Sequence, residues 1–388
     1  MYSCYGICAP GLEHLTAAEL TAVGASVGAI EPGGVAFTAP PGILYAANLQ
    51  LRTASRIIVR VAQFHASSFA ELEKEARHVA WARWVPSGGA VHFRVTSHTS
   101  RLYHQDAVAE RLERAVVAAV PGARPVRAPS ETDALDDDVS ALPGVQRFLV
   151  RLVDDELTLS VDSSGGLLHR RGYRLASAKA PIRETLAAAM LLAMEWDGTV
   201  PLVDPLCGSG TIPIEAALLA RRIAPGWRRR FAFENWPEFK PTAWEYVRGE
   251  AEKEIRDRAA APIVAADRDA GAVEACTANA ERAGVAGDLS ILRAALTKTL
   301  SEPDVTALPS GLVLTNPPYG VRVGESGRLR DLYASLGNAL RGPLAAWSLG
   351  FVTSDPGLAA ATGLPVEPRL DTATGGLRIR LYRYAPAS

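Results

Sequence analysis

The strongest constraint on the fold lies in the second half of the chain, where helical and strand-like patterns alternate. From Gly166 onward, helical stretches are separated by short apolar runs that are typical of buried strands. Neighbouring parallel strands need a crossover connection, which is usually a helix. The alternation therefore predicts an α/β domain with a mostly parallel sheet. The predicted strands are 200–204, 263–267, 289–292, 312–316 and 349–353, and a hairpin through 375–384 closes the sheet antiparallel.

A glycine-rich turn joins the first of these strands to a helix. Asp204 ends the strand, Gly208 and Gly210 lie in the turn, and the helical run follows Thr211. At a helix start, backbone N–H groups and the helix dipole favour a negatively charged ligand group. A dinucleotide fingerprint requires a third glycine where Pro213 stands, and the Gly-Lys-Ser/Thr of a phosphate loop is absent from the turn. We therefore expect this turn to bind the carboxylate or phosphate of another kind of cofactor.

An acidic residue ends the next predicted strand. Asp267 closes the run 263–267, a position from which a carboxylate in a doubly wound sheet reaches the ribose hydroxyls of a cofactor. Asp269 is the nearby alternative for this role. If Asp267 has no such function, it is a solvated acid in a loop. The following segment, 270–283, has apolar residues at helical spacing, and Gly284 suits its C-terminal cap.

The motif Asn316-Pro317-Pro318-Tyr319 directly follows the apolar run 311–315. A motif of this kind can hold a flat base that bears an amine. The exocyclic amine of a nucleobase is a poor nucleophile because its lone pair is delocalised into the ring. A catalyst must therefore draw the two amine hydrogens into hydrogen bonds. The side chain of Asn316 supplies one acceptor, the carbonyl of Pro317 supplies a second, and Tyr319 would stack on the base. An ordinary strand end closed by a proline turn is the alternative.

The order of these motifs resembles the class I S-adenosylmethionine-dependent methyltransferases that act on exocyclic amines. More narrowly, the chain resembles the THUMP-domain RNA guanine-N2 methyltransferases, and among them the bacterial group that modifies large-subunit ribosomal RNA. The likeness covers nearly the whole chain and includes the segments 169–174, 180–186 and 233–237. The last segment is similar to the ribosomal group rather than to the tRNA-modifying enzymes.

This resemblance implies three domains, a cofactor and a partner. A ferredoxin-like α+β unit at 1–60 and a THUMP RNA-binding domain at 61–165 would precede a Rossmann-like methyltransferase domain at 166–388 with an insertion at 221–261. The cofactor would be S-adenosyl-L-methionine, and the partner would be RNA, with rRNA favoured over tRNA. The implied cofactor residues are Asp204, Cys207, Gly208, Gly210, Thr211 and Asp267. Asn316, Pro317 and Tyr319 would hold the target guanine in a single-stranded or flipped substrate.

Two positions depart from the pattern of this family. Its members usually place an acidic residue after the third strand to contact the adenine amine, where this chain has Ala294 and Ala295. We therefore expect adenine to be contacted by backbone alone. A glutamate often follows the Asn-Pro-Pro-Tyr-Gly run, where this chain has Val321.

Charge restricts where RNA could bind. The chain of 388 residues has a formal net charge of −1, whereas a protein that contacts many phosphates usually has a basic excess. Any RNA surface must therefore be local. Two clusters of arginines are candidates for this surface, and for each the alternative is a solvated basic face without a function. The clusters are Arg170, Arg171 and Arg174 around Tyr173, and Arg221, Arg222, Arg228, Arg229 and Arg230 around Trp227.

The remaining sequence features favour an intracellular, metal-free protein. Four scattered cysteines, of which Cys4 and Cys8 lack a second pair, predict reduced thiols and no zinc site. We find no signal peptide and no apolar run that would span a bilayer, so we expect a cytoplasmic location. In the first half, the patterns predict helices at 69–84 and 105–120, a hairpin at 147–161 that turns at Asp154-Asp155, and a loop at 124–141.

Several alternative functions stay open. Enzymes that methylate an amine in DNA, a protein glutamine or guanine in tRNA share the Asn-Pro-Pro-Tyr motif. A cytosine-C5 enzyme is disfavoured, because its chemistry needs a nucleophilic cysteine beside the target, where Tyr319 follows the prolines. A non-catalytic RNA-binding or ribosome-assembly protein that kept the fold is the alternative outside enzymes.

Overall fold

The structure is a computed structural model, which describes residues 1–127, 144–175, 182–319, 326–374 and 376–386. Val321, Gly375 and most of the loop predicted at 124–141 lie outside the described residues. The chain forms two compact units. The first comprises Met1–Cys8, Ala17–Leu168 and Arg229–Gly249, and the second comprises Ala9–Thr16, His169–Arg228 and Glu250–Ser388.

The first 168 residues contain eight strands and four α-helices in their described part. The strands are β1 (Tyr2–Cys8), β2 (Ser26–Glu31), β3 (Gly34–Ala39), β4 (Ala54–His65), β5 (Ala90–His98), β6 (Arg124–Pro125), β7 (Val145–Val153) and β8 (Glu156–Asp162). The helices are α1 (Glu13–Ala22), α2 (Pro41–Gln50), α3 (Phe69–Ala76) and α4 (Gln105–Ala119). The strands form one sheet in the order β2-β3-β1-β4-β8-β7-β5-β6, so strands from 1–60 and from 61–165 share it.

Two local features explain how the chain turns in this unit. Asp154 and Asp155 have left-handed φ angles of 52° and 64° in the β7–β8 turn, which matches the twist of the flanking strands and confirms the predicted hairpin. The helix predicted at 69–84 is too long, because α3 ends at Ala76. The indole of Trp81 donates a hydrogen bond of 2.9 Å to the Ala76 carbonyl, and its ring packs edge-on against Phe148. The chain leaves the helical conformation after Ala76, and the Trp81 ring is buried in the core instead.

The second half contains the seven-stranded sheet that the alternation predicts. Its strands are β9 (Leu202–Asp204), β10 (Ile263–Asp267), β11 (Leu289–Arg293), β12 (Leu312–Thr315), β13 (Ser348–Thr353), β14 (Glu367–Thr374) and β15 (Leu377–Tyr384). The helices are α5 (Glu184–Ala193), α6 (Thr211–Ala220), α7 (Pro241–Lys253), α8 (Ala270–Ala283), α9 (Leu296–Thr299), α10 (Pro303–Thr306), α11 (Ser326–Arg341) and α12 (Pro356–Ala361). The strand order is β11-β10-β9-β12-β13-β15-β14.

Strand β9 lies at the point where the order of the sheet reverses. It pairs in parallel with β10 on one side and with β12 on the other. Among the described strands of this sheet, β15 pairs antiparallel with both β13 and β14, as the closing hairpin predicts. Ligands of open α/β sheets bind outside the carboxyl ends of the strands at such a reversal. The topology therefore brings the ends of β9, β10 and β12 to one edge.

The segment Arg229–Gly249, which lies within the predicted insertion, packs in the first unit. The ring of Phe233 stacks on Tyr45 with a centroid distance of 4.3 Å. The indole of Trp236 donates a hydrogen bond of 2.8 Å to Gln146. No helix in the described ranges is long and apolar enough to cross a membrane.

We expect Phe233→Ala to destabilise the first unit by about 3–5 kcal/mol, because truncation of a fully buried aromatic side chain leaves a cavity. The matched control is Tyr246→Ala, since Tyr246 is 68% exposed, and its effect should stay within about 0.5 kcal/mol. Urea unfolding of the full chain measures both variants. Equal effects of the two substitutions would contradict the packing of this segment as a core element.

Candidate active site

Asp204 is a buried carboxylate at the end of the central strand β9. It is 1% exposed and accepts hydrogen bonds from the Thr315 hydroxyl at 2.7 Å and from the Leu206 N–H at 3.1 Å. The pKa of Asp204 is raised to about 7, chiefly by burial and also by nearby Asp267, whereas the two hydrogen bonds act in the opposite direction. Asp204 thus connects the glycine turn to the strand that precedes Asn316.

The glycine turn adopts a backbone conformation that other residues rarely take. Gly208 and Gly210 have φ angles of 53° and 86°, and Gly210 is the N-cap of α6. A Cβ atom at Gly210 would lie 2.5 Å from the Cys276 sulfur, so packing also requires glycine there. Among the described residues, no side chain caps the first turn of α6. Its backbone N–H groups can therefore serve a ligand.

Cys207 and Thr211 are both buried beside these glycines. The side chain of Cys207 packs against Ala265 and Cys276, so Cys207 contributes to the turn mainly through its backbone. A hydrogen bond with Cys276 and burial raise the pKa of the Cys207 thiol, which keeps it protonated. All four cysteines of the chain are free thiols.

The structure distinguishes between Asp267 and Asp269. The Asp269 side chain caps α8 by accepting a hydrogen bond of 2.9 Å from the Ala272 N–H. Asp267 lies at the end of β10, and its Oδ2 accepts a hydrogen bond of 3.1 Å from the Gly208 N–H. Its Oδ1 accepts from the Asp269 N–H at 3.0 Å, and each oxygen keeps a second lone pair. Asp267 therefore contacts the glycine turn, whereas Asp269 caps the N-terminus of α8.

Asn316 follows β12, and its side-chain oxygen accepts no hydrogen bond from the described residues. This Oδ1 atom is buried. A buried polar atom without a partner costs roughly 1–3 kcal/mol, so this oxygen is available to a ligand. Pro317 is buried, Pro318 is exposed, and Tyr319 is half-buried. Burial raises the pKa of Tyr319, which stays neutral and suited to stacking.

The two residues that follow β11 are alanines, which have no polar side chain that could contact an adenine ring. Ala294 is buried, and its N–H donates a hydrogen bond of 3.0 Å to the Asp267 carbonyl. This donor is therefore already engaged. Ala295 is exposed and is the N-cap of α9.

A buried polar network supports the glycine turn from behind, and sequence reasoning missed it. Asn279 on α8 donates a hydrogen bond of 2.9 Å to the Ser209 carbonyl, and the guanidinium of Arg282 donates to the Asn279 side-chain oxygen. Arg282 also donates to the Tyr173 carbonyl at 2.8 Å. A polar residue on the apolar face of the predicted helix 270–283 was the available signal for Asn279.

Both predicted basic clusters are largely engaged in internal contacts. Arg171 and Arg174 form ion pairs with Glu215 at 3.5 Å and with Glu184 at 3.1 Å. The second cluster is engaged in the same way by carboxylates and backbone carbonyls. Its contacts are Arg221 to Asp288, Arg222 to Glu254, Arg228 to the Arg282 carbonyl, Arg229 to the carbonyls of Gly166 and Leu167, and Arg230 to Glu234.

The described residues fit S-adenosylmethionine. The first turn of α6 offers N–H groups for a carboxylate, and the left-handed glycines allow close approach of the backbone. Asp267 offers a carboxylate where ribose hydroxyls would lie. The described residues hold no group of three or more His, Cys, Asp or Glu side chains that could hold a metal ion.

We expect Gly210→Ala to lower the free energy of unfolding by about 2–4 kcal/mol, because the substitution adds a methyl clash to backbone strain. Gly172→Ala is the matched control, since Gly172 has a φ of 93° but no atom within 4 Å of an added Cβ. We expect about 1 kcal/mol for this control. Urea denaturation measures both, and Cys276→Ala in the Gly210→Ala background should recover part of the loss. No recovery would contradict the clash.

We expect Asp204→Asn to change the pH dependence of stability. The pKa of Asp204 is about 7 in the folded protein, against an ordinary value of 3.8, so folding takes up a proton between these values and stability falls as pH rises. From about pH 5.5 to about pH 8, the parent should lose about 2 kcal/mol more than the variant. Urea unfolding at both pH values tests this, and parallel pH profiles would show that Asp204 ionises normally.

Comparisons with known proteins agree with this geometry. Residues 171–365 match the family model described as RMKL-like, methyltransferase domain, and residues 4–58 match the model of the RlmL ferredoxin-like domain. YpsC of Bacillus subtilis, whose name assigns it provisionally to the RNA methyltransferases, is 33% identical over 374 residues, which are 96% of this chain and 93% of YpsC. These matches confirm the predicted combination of a ferredoxin-like and a methyltransferase domain.

Two further relatives extend the comparison. The ribosomal RNA large subunit methyltransferase K/L of Chromohalobacter salexigens is 34% identical over 97% of this chain, which spans about half (51%) of that relative. The crystal structure of SMU.472 complexed with SAH has a TM-score of 0.85 and 28% identity, and the likeness covers 100% of this chain and 98% of that one. The chain therefore belongs to the RMKL-like methyltransferase family.

Proposed function

We propose that this protein transfers the methyl group of S-adenosylmethionine to the exocyclic N2 amine of guanine in RNA, most specifically in large-subunit ribosomal RNA. The observation that carries the proposal is the buried Oδ1 atom of Asn316, which lacks a described partner at the end of β12. An amine hydrogen of a bound base would satisfy this acceptor.

The cofactor would supply an electrophilic methyl group on a sulfonium. The backbone N–H groups at the start of α6 would bind its carboxylate, and Asp267 would bind its ribose. Gly208 and Gly210 would allow the ligand to approach the backbone, because neither has a side chain in the way. Cys207 and Thr211 would complete the turn, and Asp204 would hold the turn and β12 in register through Thr315.

Asn316, Pro317 and Tyr319 would activate and position the base. The Oδ1 atom of Asn316 and the Pro317 carbonyl would each accept one amine hydrogen, which favours a pyramidal nitrogen with an available lone pair. Tyr319 would stack on the ring, a contact worth roughly 1–3 kcal/mol. Positioning of the amine in line with the methyl group would supply up to about 7–11 kcal/mol of barrier reduction.

The choice of substrate is supported by sequence and by relatives. The name of YpsC refers to RNA, and that of the Chromohalobacter relative refers to ribosomal RNA. The guanine N2 atom follows from the resemblance of the motifs around Asn316 to the guanine-N2 enzymes. The domain boundaries near residues 60 and 165, and a THUMP domain between them, are part of the same proposal.

We expect Asn316→Ala to lower the rate of methyl transfer by about 100- to 1000-fold, because one preorganised hydrogen-bond partner of the reacting group is lost. Its affinity for S-adenosylmethionine should stay close to that of the parent. The matched variant is Asp267→Ala, which should weaken cofactor binding. Calorimetric titration with the cofactor and single-turnover methylation of transcribed large-subunit rRNA separate the two effects.

Wild-type turnover by Asn316→Ala would show that Asn316 does not hold the target amine. Unchanged cofactor affinity in Asp267→Ala would place the ribose contact elsewhere. Mass mapping of the methylated RNA identifies the base, and a product in tRNA or DNA alone would replace the proposed substrate. A parent that binds rRNA but neither binds the cofactor nor transfers methyl groups would be a binding protein.

A further inference from the structure

One face of the eight-stranded sheet carries exposed arginines that no sequence cluster revealed. In β5, Val91, Phe93 and Val95 are buried, whereas Arg94 between them is exposed. Arg151 on β7 is likewise exposed between buried neighbours. We call the surface formed by Tyr5, Arg60, Arg94 and Arg151 the basic sheet face.

The strand register places these residues on one side of the sheet. Arg94 lies beside Leu149, Leu149 lies opposite Ser160, and Ser160 lies opposite Arg60. Arg60 and Arg94 therefore stand in one row across four strands, about 14 Å apart at the usual strand spacing. Arg151 lies two residues beyond Leu149 on β7 and therefore points to the same side.

An aromatic ring forms part of this surface. The guanidinium carbon of Arg60 lies 5.1 Å from the centroid of the half-buried Tyr5 ring. Burial and nearby Glu31 raise the pKa of Tyr5, whereas Arg60 and the more distant Arg151 lower it. Arg60 and the Tyr5 ring are therefore in contact, and Arg94 and Arg151 lie on the same side of the sheet.

Guanidinium groups on this side of the sheet lie close enough to repel one another. Arg56 forms a buried ion pair with Asp162. The pKa of Arg56 is lowered to about 9, chiefly by burial and also by Arg147, Arg229 and Arg94. By register, Glu31 and Glu156 also lie on this side of the sheet, so the face carries carboxylates as well as guanidinium groups. An added polyanion would relieve the repulsion among the guanidinium groups.

We propose that the basic sheet face binds the phosphate backbone of unpaired RNA. The proposal rests on the proposed function, which requires an RNA with an accessible base. Arginine matches phosphate geometry through two parallel N–H bonds, and a flat sheet with an aromatic ring accepts an unstacked base. Charge complementarity favours a phosphodiester chain, since Arg60, Arg94 and Arg151 are all exposed.

The test compares Arg60→Gln/Arg94→Gln/Arg151→Gln with the charge-matched control Arg77→Gln/Arg101→Gln/Arg114→Gln, whose arginines are exposed elsewhere in the first unit. Filter binding of each full-length variant to transcribed large-subunit rRNA is measured without cofactor over a salt series. Loss of three phosphate contacts should lower the slope of log affinity against log salt by about 2. We expect the affinity at low salt to fall at least about tenfold, with the control close to the parent.

Equal loss in both triple variants would show a general charge effect and overturn the proposal. Unchanged rRNA affinity together with loss of binding to polyglutamate would assign the face to an acidic protein partner and also overturn it. Calorimetric cofactor titration and circular dichroism establish that each variant is folded. Because binding is measured without methyl transfer, the face can be confirmed even when the parent methylates no rRNA, in which case only the proposed function fails.

Discussion

The hydrogen bond from Thr315 to Asp204 joins the two halves of the candidate site. Asp204 ends the central strand β9 and lies directly before the glycine turn, while Thr315 ends β12 directly before Asn316. Burial of a carboxylate is unfavourable without partners, and the Thr315 hydroxyl and the Leu206 N–H supply them. This buried interaction therefore helps to fix the position of the glycine turn relative to the Asn316 side chain.

Several features of the site are unfavourable for stability and become understandable through function. Asp204 is buried with its pKa near 7, two glycines take left-handed conformations, and the Asn316 side-chain oxygen lacks a described partner. Local strain and unsatisfied polar groups are common where a protein is preorganised for a ligand. The apolar packing on both faces of the sheet supports this arrangement.

The sequence predicted the sheet and the motif-bearing strand ends well, since hydrophobic runs and Gly or Pro turns are local signals. Strand β10 and helix α8 have the predicted bounds, and Gly284 caps α8 with a φ of 75°. The predicted helix at 69–84 was too long, because α3 ends at Ala76 and the Trp81 ring packs in the core beyond it. Only the structure shows that Asp269 caps α8 at Ala272, whereas Asp267 contacts the glycine turn.

RNA recognition illustrates the division between sequence and structure. Arginines that are neighbours in sequence, such as Arg171 and Arg174, are engaged by buried carboxylates. The arginines of the basic sheet face come from three strands and are separated by tens of residues, so no window along the chain contains them. The amino-acid sequence was enough to predict the fold class and the candidate chemistry, because strand ends carry motifs in a fixed order. The tertiary structure alone decided which charges face solvent, since alternation and register combine only when the strands pair.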